Sequence, residues 1–198
     1  EGLKAVRYAV NSIDADMPKR YLIELSSHGG NSLREFQNIF IRSRLQLIGM
    51  THGIMEYVDN NISKYIRNGI EFVEHEVNEI KKRHNASRVL YDYVCNNVSP
   101  SEPVSDKLLE ANIVKSLGSE YTYEAAKIAQ KLLGAKGFES GHPMSNIAID
   151  IRPFTIFEGN NEMLYADIFD IFSKANDKEK ENGVRIDKTQ TLYERLLS

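Results

Sequence analysis

Along most of this chain apolar residues return at every third or fourth position, and the strict alternation of a half-buried strand is almost absent. That spacing is one face of a helix, so the sequence predicts an all-α protein. From about Ser32 to Asn68, Phe36, Ile39, Phe40, Leu45, Ile48, Ile54, Tyr57, Val58 and Ile62 keep to one broad face, which predicts one long helix or two in line. A second is expected from about Ile70 to Val98, with Phe72, Val73, Val77, Ile80, Val89, Leu90, Tyr93 and Val94 inward and EHE and EIKKRH outward. SPSEPVS (99–105) combines prolines and serines, so it reads as a turn with Ser105 as N-cap of a third helix ending near Leu133. Three or more long antiparallel helices with short connections predict an up-and-down bundle with crossing angles of roughly 20°.

Beyond the third helix, GAKGFESGHP (134–143) reads as a glycine-rich loop, MSNIAIDI as a short helix, and Asn161 to about Ala175 as another. The expected organisation is an N-terminal segment (1–31), a helical-bundle domain (32–175), and a charged linker with a C-terminal docking helix (176–198). The first segment holds an amphipathic stretch (Leu3, Val6, Ala9, Val10, Ile13), a short apolar YLIEL and a loop SSHGGN; the SHGG within it lacks the strand and lysine of a phosphate loop.

A length of 198 residues with 41% hydrophobic content suits one buried core. The net charge of −3, with both signs intermixed, gives no electrostatic footprint for nucleic acid or an anionic membrane. No apolar run approaches the roughly 20 residues of a membrane span, no signal peptide opens the chain, and Cys95 has no partner for a disulfide. A reducing, cytoplasmic setting is expected. The start at Glu1 rather than Met suits a processed product or a piece of something longer.

The segment most suggestive of chemistry is RPFTIFEGNNEM (152–163), where an apolar aromatic run ends in Glu158 and Gly159. A carboxylate against Phe154, Ile156 and Phe157 would sit in a dry setting that favours a general base, with Gly159 allowing close approach. The competing reading is a helix-start charge beside the dipole, with Gly159 and Glu162 making a poor capping box. Elsewhere Glu71, Glu74, His75 and Glu79 line one helix, but no second Glu-x-x-His helix is present, so they read as a solvated face and no metal site is expected. Met50, Met55 and Met163 read as core or interface filler.

Taken together, RLQLIGMTHGIMEYVDNNISKY, KLLGAKGF and IFEGNNEM resemble the C-terminal helical domain of the acyl-CoA dehydrogenase family over about residues 40 to 170. Arg44, Gly53 and Tyr65 fall in the family's first motif, and Gly134, Gly137, Phe138, Pro143, Glu158, Gly159 and Glu162 in the later ones. The resemblance implies FAD as cofactor, an acyl-CoA thioester as substrate, a homodimer or homotetramer, and an electron-transfer flavoprotein as acceptor. It implies Glu158 as the base for the α-proton and Arg44 as a residue that orients the site. Lys131, Gly134, Ala135, Gly159, Asn160 and Glu162 fall at its cofactor-binding positions. Ser43 stands where a subset of the family carries its base, and serine cannot serve as one. The family's N-terminal helical and middle β-domains are not found in the sequence. Departures are Gly69 where the family has a pyrophosphate-binding Arg, with Arg67 two residues away, Lys131 for Gln, Ala135 for Gly and Asn160 for Thr. They imply altered flavin binding, and a second reading as a redox-inactive assembly or acyl-CoA-binding module.

Overall fold

The computed structural model describes residues 12, 14–21, 32–67, 69–99 and 101–182. The amphipathic stretch of the first 13 residues, most of YLIEL, the SSHGGN loop and the docking helix expected near the C-terminus lie outside these residues. Among those described there is no strand: the elements are α1 (Ser32–Ile62), α2 (Glu71–Asn97), α3 (Leu108–Leu132), α4 (Pro143–Ile151) and α5 (Asn161–Asn182), with short 3-10 turns. No helix among them is long and apolar enough to cross a membrane.

Part of the apolar periodicity becomes the core, whereas Phe36, Ile39 and Tyr57 of α1 and Phe72 and Val89 of α2 are exposed. Met55, Val58 and Ile62 of α1 meet Ile80 of α2, Ala125 and Ala129 of α3, and Met144 of α4 in one buried cluster. Toward the other end, Ile41 and Leu45 meet Ala111 and Val104. Helix α3 lies at the centre and packs on α1, α2, α4 and α5. Small residues make this possible: a Cβ on Gly118 would lie 2.6 Å from Ile48 Cδ1.

Several boundaries differ from expectation. Helix α1 is one helix and stops at Ile62, where the carbonyls of Asn61 and Ile62 accept tight bonds from the amides of Lys64 and Tyr65. The chain then turns through Gly69 at φ +81°, a conformation that glycine adopts without cost. Arg67 therefore sits in a turn rather than on the helix. Ser105 does not cap α3: its N-cap is Lys107, with no side-chain cap bond, because the turn anchored by buried Val104 spends Ser105 and Asp106 in closing onto the Lys107 amide. The first part of the glycine-rich loop is a 3-10 turn, Gly134–Phe138. Helix α5 continues past Ala175 through Asn182, over residues expected as linker.

Candidate functional site

Glu158 lies at the junction between the 3-10 turn Arg152–Thr155 and α5, and its backbone is unusual. At φ +58° it is the one non-glycine residue in the left-handed region among the described residues, and Gly159 follows at +109°. A left-handed glutamate persists only where its surroundings hold it. Two cations supply that hold from neighbouring helices: Arg44 Nε donates to the Glu158 carbonyl at 2.7 Å, and Lys115 Nζ donates to the Gly159 carbonyl at 2.5 Å. Consecutive carbonyls are thus gripped from α1 and α3. Gly159 has to be small as well as left-handed, because a Cβ there would lie 3.2 Å from an Arg44 nitrogen and 3.3 Å from Leu164.

The Glu158 side chain meets Ser43, whose hydroxyl donates to Oε2 at 2.6 Å. That hydroxyl also approaches the Phe40 carbonyl at 3.1 Å, but the carboxylate is the shorter and charge-assisted partner. Ser43 therefore stands beside the carboxylate and orients it. The dry setting expected from the aromatic run holds only at Phe154, which is buried; Ile156 is 56% exposed and Phe157 half-buried, because the three-residue repeat of the 3-10 turn puts Ile151 and Phe154 on its inward side. Glu158 is half-buried.

Beneath it runs a buried polar network that sequence reasoning missed. Arg44 donates a second bond, 2.6 Å, to Oδ1 of the fully buried Asn112, whose Nδ2 has no hydrogen-bond partner. Lys115 is 1% exposed, and its remaining bonds go to Asn161 Oδ1 at 2.7 Å and the Thr155 carbonyl at 3.3 Å. Asn161, 4% exposed, donates through Nδ2 to Ser119 Oγ and Glu120 Oε2, each at 3.1 Å. Burial holds Arg44 below the usual guanidinium value, opposed by the charges of Asp167 and Glu158. Burial, then the charge of Arg44, pushes Lys115 down to about 8, against the pull of Glu158 and Glu120. The one signal in the sequence was that Lys115 is the lone charge in ANIVKSLGS (111–119).

Of the other residues singled out, Asn160 caps α5: its Oδ1 accepts from the Glu162 amide at 3.0 Å and its carbonyl from Leu164 at 3.1 Å. That replaces the capping box expected of Gly159 with Glu162, whose side chain is exposed. Lys131 lies at the far end of α3, about 24 Å along the helix from Lys115 at 1.5 Å per residue, and Gly134 and Ala135 lie in the 3-10 turn just beyond it, so the structure does not bring them to Glu158. Lys131 pairs there with Glu76 at 3.0 Å and lies 4.9 Å from the centre of the Phe72 ring. Gly134 is left-handed at φ +57°, and buried Gly137 admits no side chain, since a Cβ would sit 2.4 Å from the Gln130 carbonyl oxygen. Pro143 is the first residue of α4, capped by His142, whose ring packs edge-on to Tyr65. Met55 is core, whereas Met50 and Met163 are exposed. Among the described residues no group of three metal-binding side chains comes together.

The matches with known proteins follow the same segments. The family model for the acyl-CoA dehydrogenase C-terminal domain matches residues 33–171, so the chain belongs to the acyl-CoA dehydrogenase family. A curated relative, the very long-chain specific acyl-CoA dehydrogenase, mitochondrial, of Macaca fascicularis, is 26% identical over 160 residues, which cover 77% of this chain and 24% of that protein. Two solved structures share the fold: an acyl-CoA dehydrogenase from Geobacillus kaustophilus, with TM-score 0.61 and 18% identity over 67% of this chain and 37% of that one, and PigA with FAD and proline, with TM-score 0.60 and 16% identity over 70% and 38%. The chain thus spans well under half the length of each of these proteins.

Proposed function

We propose that this chain is the C-terminal bundle of an acyl-CoA dehydrogenase-like flavoprotein, in which Glu158 takes the α-proton of an acyl-CoA thioester. The observation that carries this is the built environment of one carboxylate: a left-handed backbone gripped through two successive carbonyls, and a side chain oriented by Ser43. A helix-start charge needs none of this. An α-proton beside a thioester is only weakly acidic, so its removal requires a carboxylate held within hydrogen-bond reach of the carbon-bound proton. Ser43 engages Oε2, leaving Oε1 to receive the proton. Phe36, Ile39 and Met50, all exposed, share the helical face of α1 that carries Ser43, an apolar flank suited to an acyl chain. Arg44, half-buried between Glu158 and Asn112, orients the loop.

FAD, when bound, supplies the acceptor for the β-hydrogen as hydride. The turn around left-handed Gly134 and exposed Ala135, edged by Lys131 and Lys136, fits an anionic cofactor group, and Lys131 would hold it by charge. Gly159, Asn160 and Glu162 belong to the same reading through their place beside Glu158. A homodimer or homotetramer, electron-transfer flavoprotein as acceptor and a reducing compartment complete it.

A second reading, a redox-inactive assembly or acyl-CoA-binding module, is favoured by one corner of the molecule. Lys131 is already paired with Glu76, and Gly69 occupies a left-handed turn where the resemblance places a bidentate arginine. The visible spectrum of protein purified with added FAD separates the two. A flavin band that bleaches on adding acyl-CoA thioesters, and that survives but no longer bleaches in Glu158→Gln, is the expected result. Failure to retain flavin supports the module.

A further inference from the structure

We propose that Lys115 is a positioning residue for Glu158: its buried ammonium, bonded to the carbonyls of Thr155 and Gly159 and to Asn161 Oδ1, works with Arg44 to fix the left-handed backbone that aims the carboxylate. The functional meaning of this rests on the reading of Glu158 as the base, but its geometry does not.

Three features set Lys115 apart from an incidental buried lysine. An ammonium has three N–H donors, and here three oxygen atoms accept them, so the group is fully satisfied without a directly bonded carboxylate. All three acceptors belong to one short segment, 155–161, that begins just before Glu158 and ends just after it. The amide of Asn161 is in turn oriented by Ser119 and Glu120, one helical turn and more along α3 from Lys115, so the clamp has its own support. Removing the buried cation takes the ammonium donor from the Thr155 and Gly159 carbonyls and leaves Asn161 Oδ1 with only the 3.4 Å contact from Ser119 Oγ, so that Arg44 on the Glu158 carbonyl and Ser43 on its carboxylate remain to hold the left-handed turn. The charged groups that act on the amine are Arg44 on α1, Glu158 on the loop and Glu120 on α3 itself.

The test is the proton–nitrogen NMR spectrum of the 198-residue chain as a function of pH, in wild type and in Lys115→Met. In wild type, the amide signals of Glu158, Gly159 and Asn161 are expected to move with the Lys115 Nζ signal, with one midpoint near 8. Glu158 should show the strong contact between its own amide and α protons that marks a positive φ. In Lys115→Met the common titration should vanish and that contact weaken, while Val58 and Ile80 keep their native signals. Lys115→Gln, which retains an N–H donor, should restore part of the contact without the titration. Unchanged Glu158–Asn161 signals in a folded Lys115→Met overturn the proposal. If neither variant folds, the wild-type titration still decides: loop amides that stay flat while the Lys115 Nζ signal titrates overturn it. None of these readouts depends on turnover, so loss of activity in Glu158→Gln and failure of the clamp are separate results.

Discussion

Helix α3 presents two adjoining faces that bury comparable side chains by opposite means. On one face Ala111, Val114, Ala125 and Ala129 pack against Leu45, Ile48, Met55 and Leu90, and the contact is apolar apart from Thr122, whose hydroxyl reaches the Thr51 carbonyl of α1 at 3.2 Å. On the other, Asn112, Lys115, Ser116 and Ser119 are as deeply buried, yet all are hydrogen-bonded: Asn112 to Arg44, Lys115 to the Glu158 loop, Ser119 to Asn161 at the head of α5, and Ser116 back to the Asn112 carbonyl of its own helix. Replacing such a polar face by well-packed hydrophobic residues is commonly neutral or stabilising, so stability alone gives no reason for it. What the polar face provides, and the apolar face cannot, is direction: hydrogen bonds fix the conformation of a particular backbone segment, whereas packing fixes only the distance between helices.

The contrast predicts different consequences for damage on each side. Met55→Ala, in the centre of the apolar cluster, should cost about 2–5 kcal/mol of global stability, read as a lower urea midpoint with unchanged slope. A global loss under ~1 kcal/mol would mean that this cluster is not the main support of the bundle. Alkaline titration of stability comes next. Lys115 is lowered to about 8 in the folded chain against 10.5 unfolded, so between these values the unfolded chain holds a proton that the folded chain has released. Stability should therefore rise with pH across that window, and the rise should be missing in Lys115→Met. Equal slopes in both proteins would break the assignment. Asn112→Leu strips Arg44 of an acceptor at a buried site and should cost about 1–3 kcal/mol, with the disturbance concentrated in the amide signals of the Glu158 loop rather than in α2. Smallest is Asn160→Ala, which removes the cap on α5 and should cost about 1 kcal/mol by thermal melting.

The two faces were also unequally legible. The partners of the apolar face on α1 and α2, Leu45, Ile48 and Leu90 among them, follow from spacing alone, because burial by packing writes itself as a 3.6-residue period, though the same period also takes in Phe36, Ile39 and Phe72, which are exposed. Glu158, Arg44 and Gly159 were found through motif resemblance, and the structure does bring these three together. Ser43 was read only as unable to act as a base, because a sequence does not show that residues 43 and 158 meet. Lys115 and Asn112 carried almost no signal, since a lysine or asparagine on a helix is ordinarily solvated, and only the enclosure of α3 by four other helices reverses that. Ser105 and the capping box at Gly159 failed for a related reason: several residues near each helix start can serve as the cap, and the turn geometry at Val104 and the amide at Asn160 made the choice.

The central claim is that the polar face of α3 exists to present Glu158 as a base, and α-proton exchange tests it most directly. An acyl-CoA analogue with sulfur in place of its β-carbon can lose an α-proton but no β-hydride, so incubating it with the protein and FAD in heavy water isolates the one step assigned to Glu158. Deuterium should enter the α-position with the native protein and fall by roughly 10²–10⁴-fold in Glu158→Gln. Exchange that continues undiminished in the variant would show that another group carries the proton, and would contradict the account.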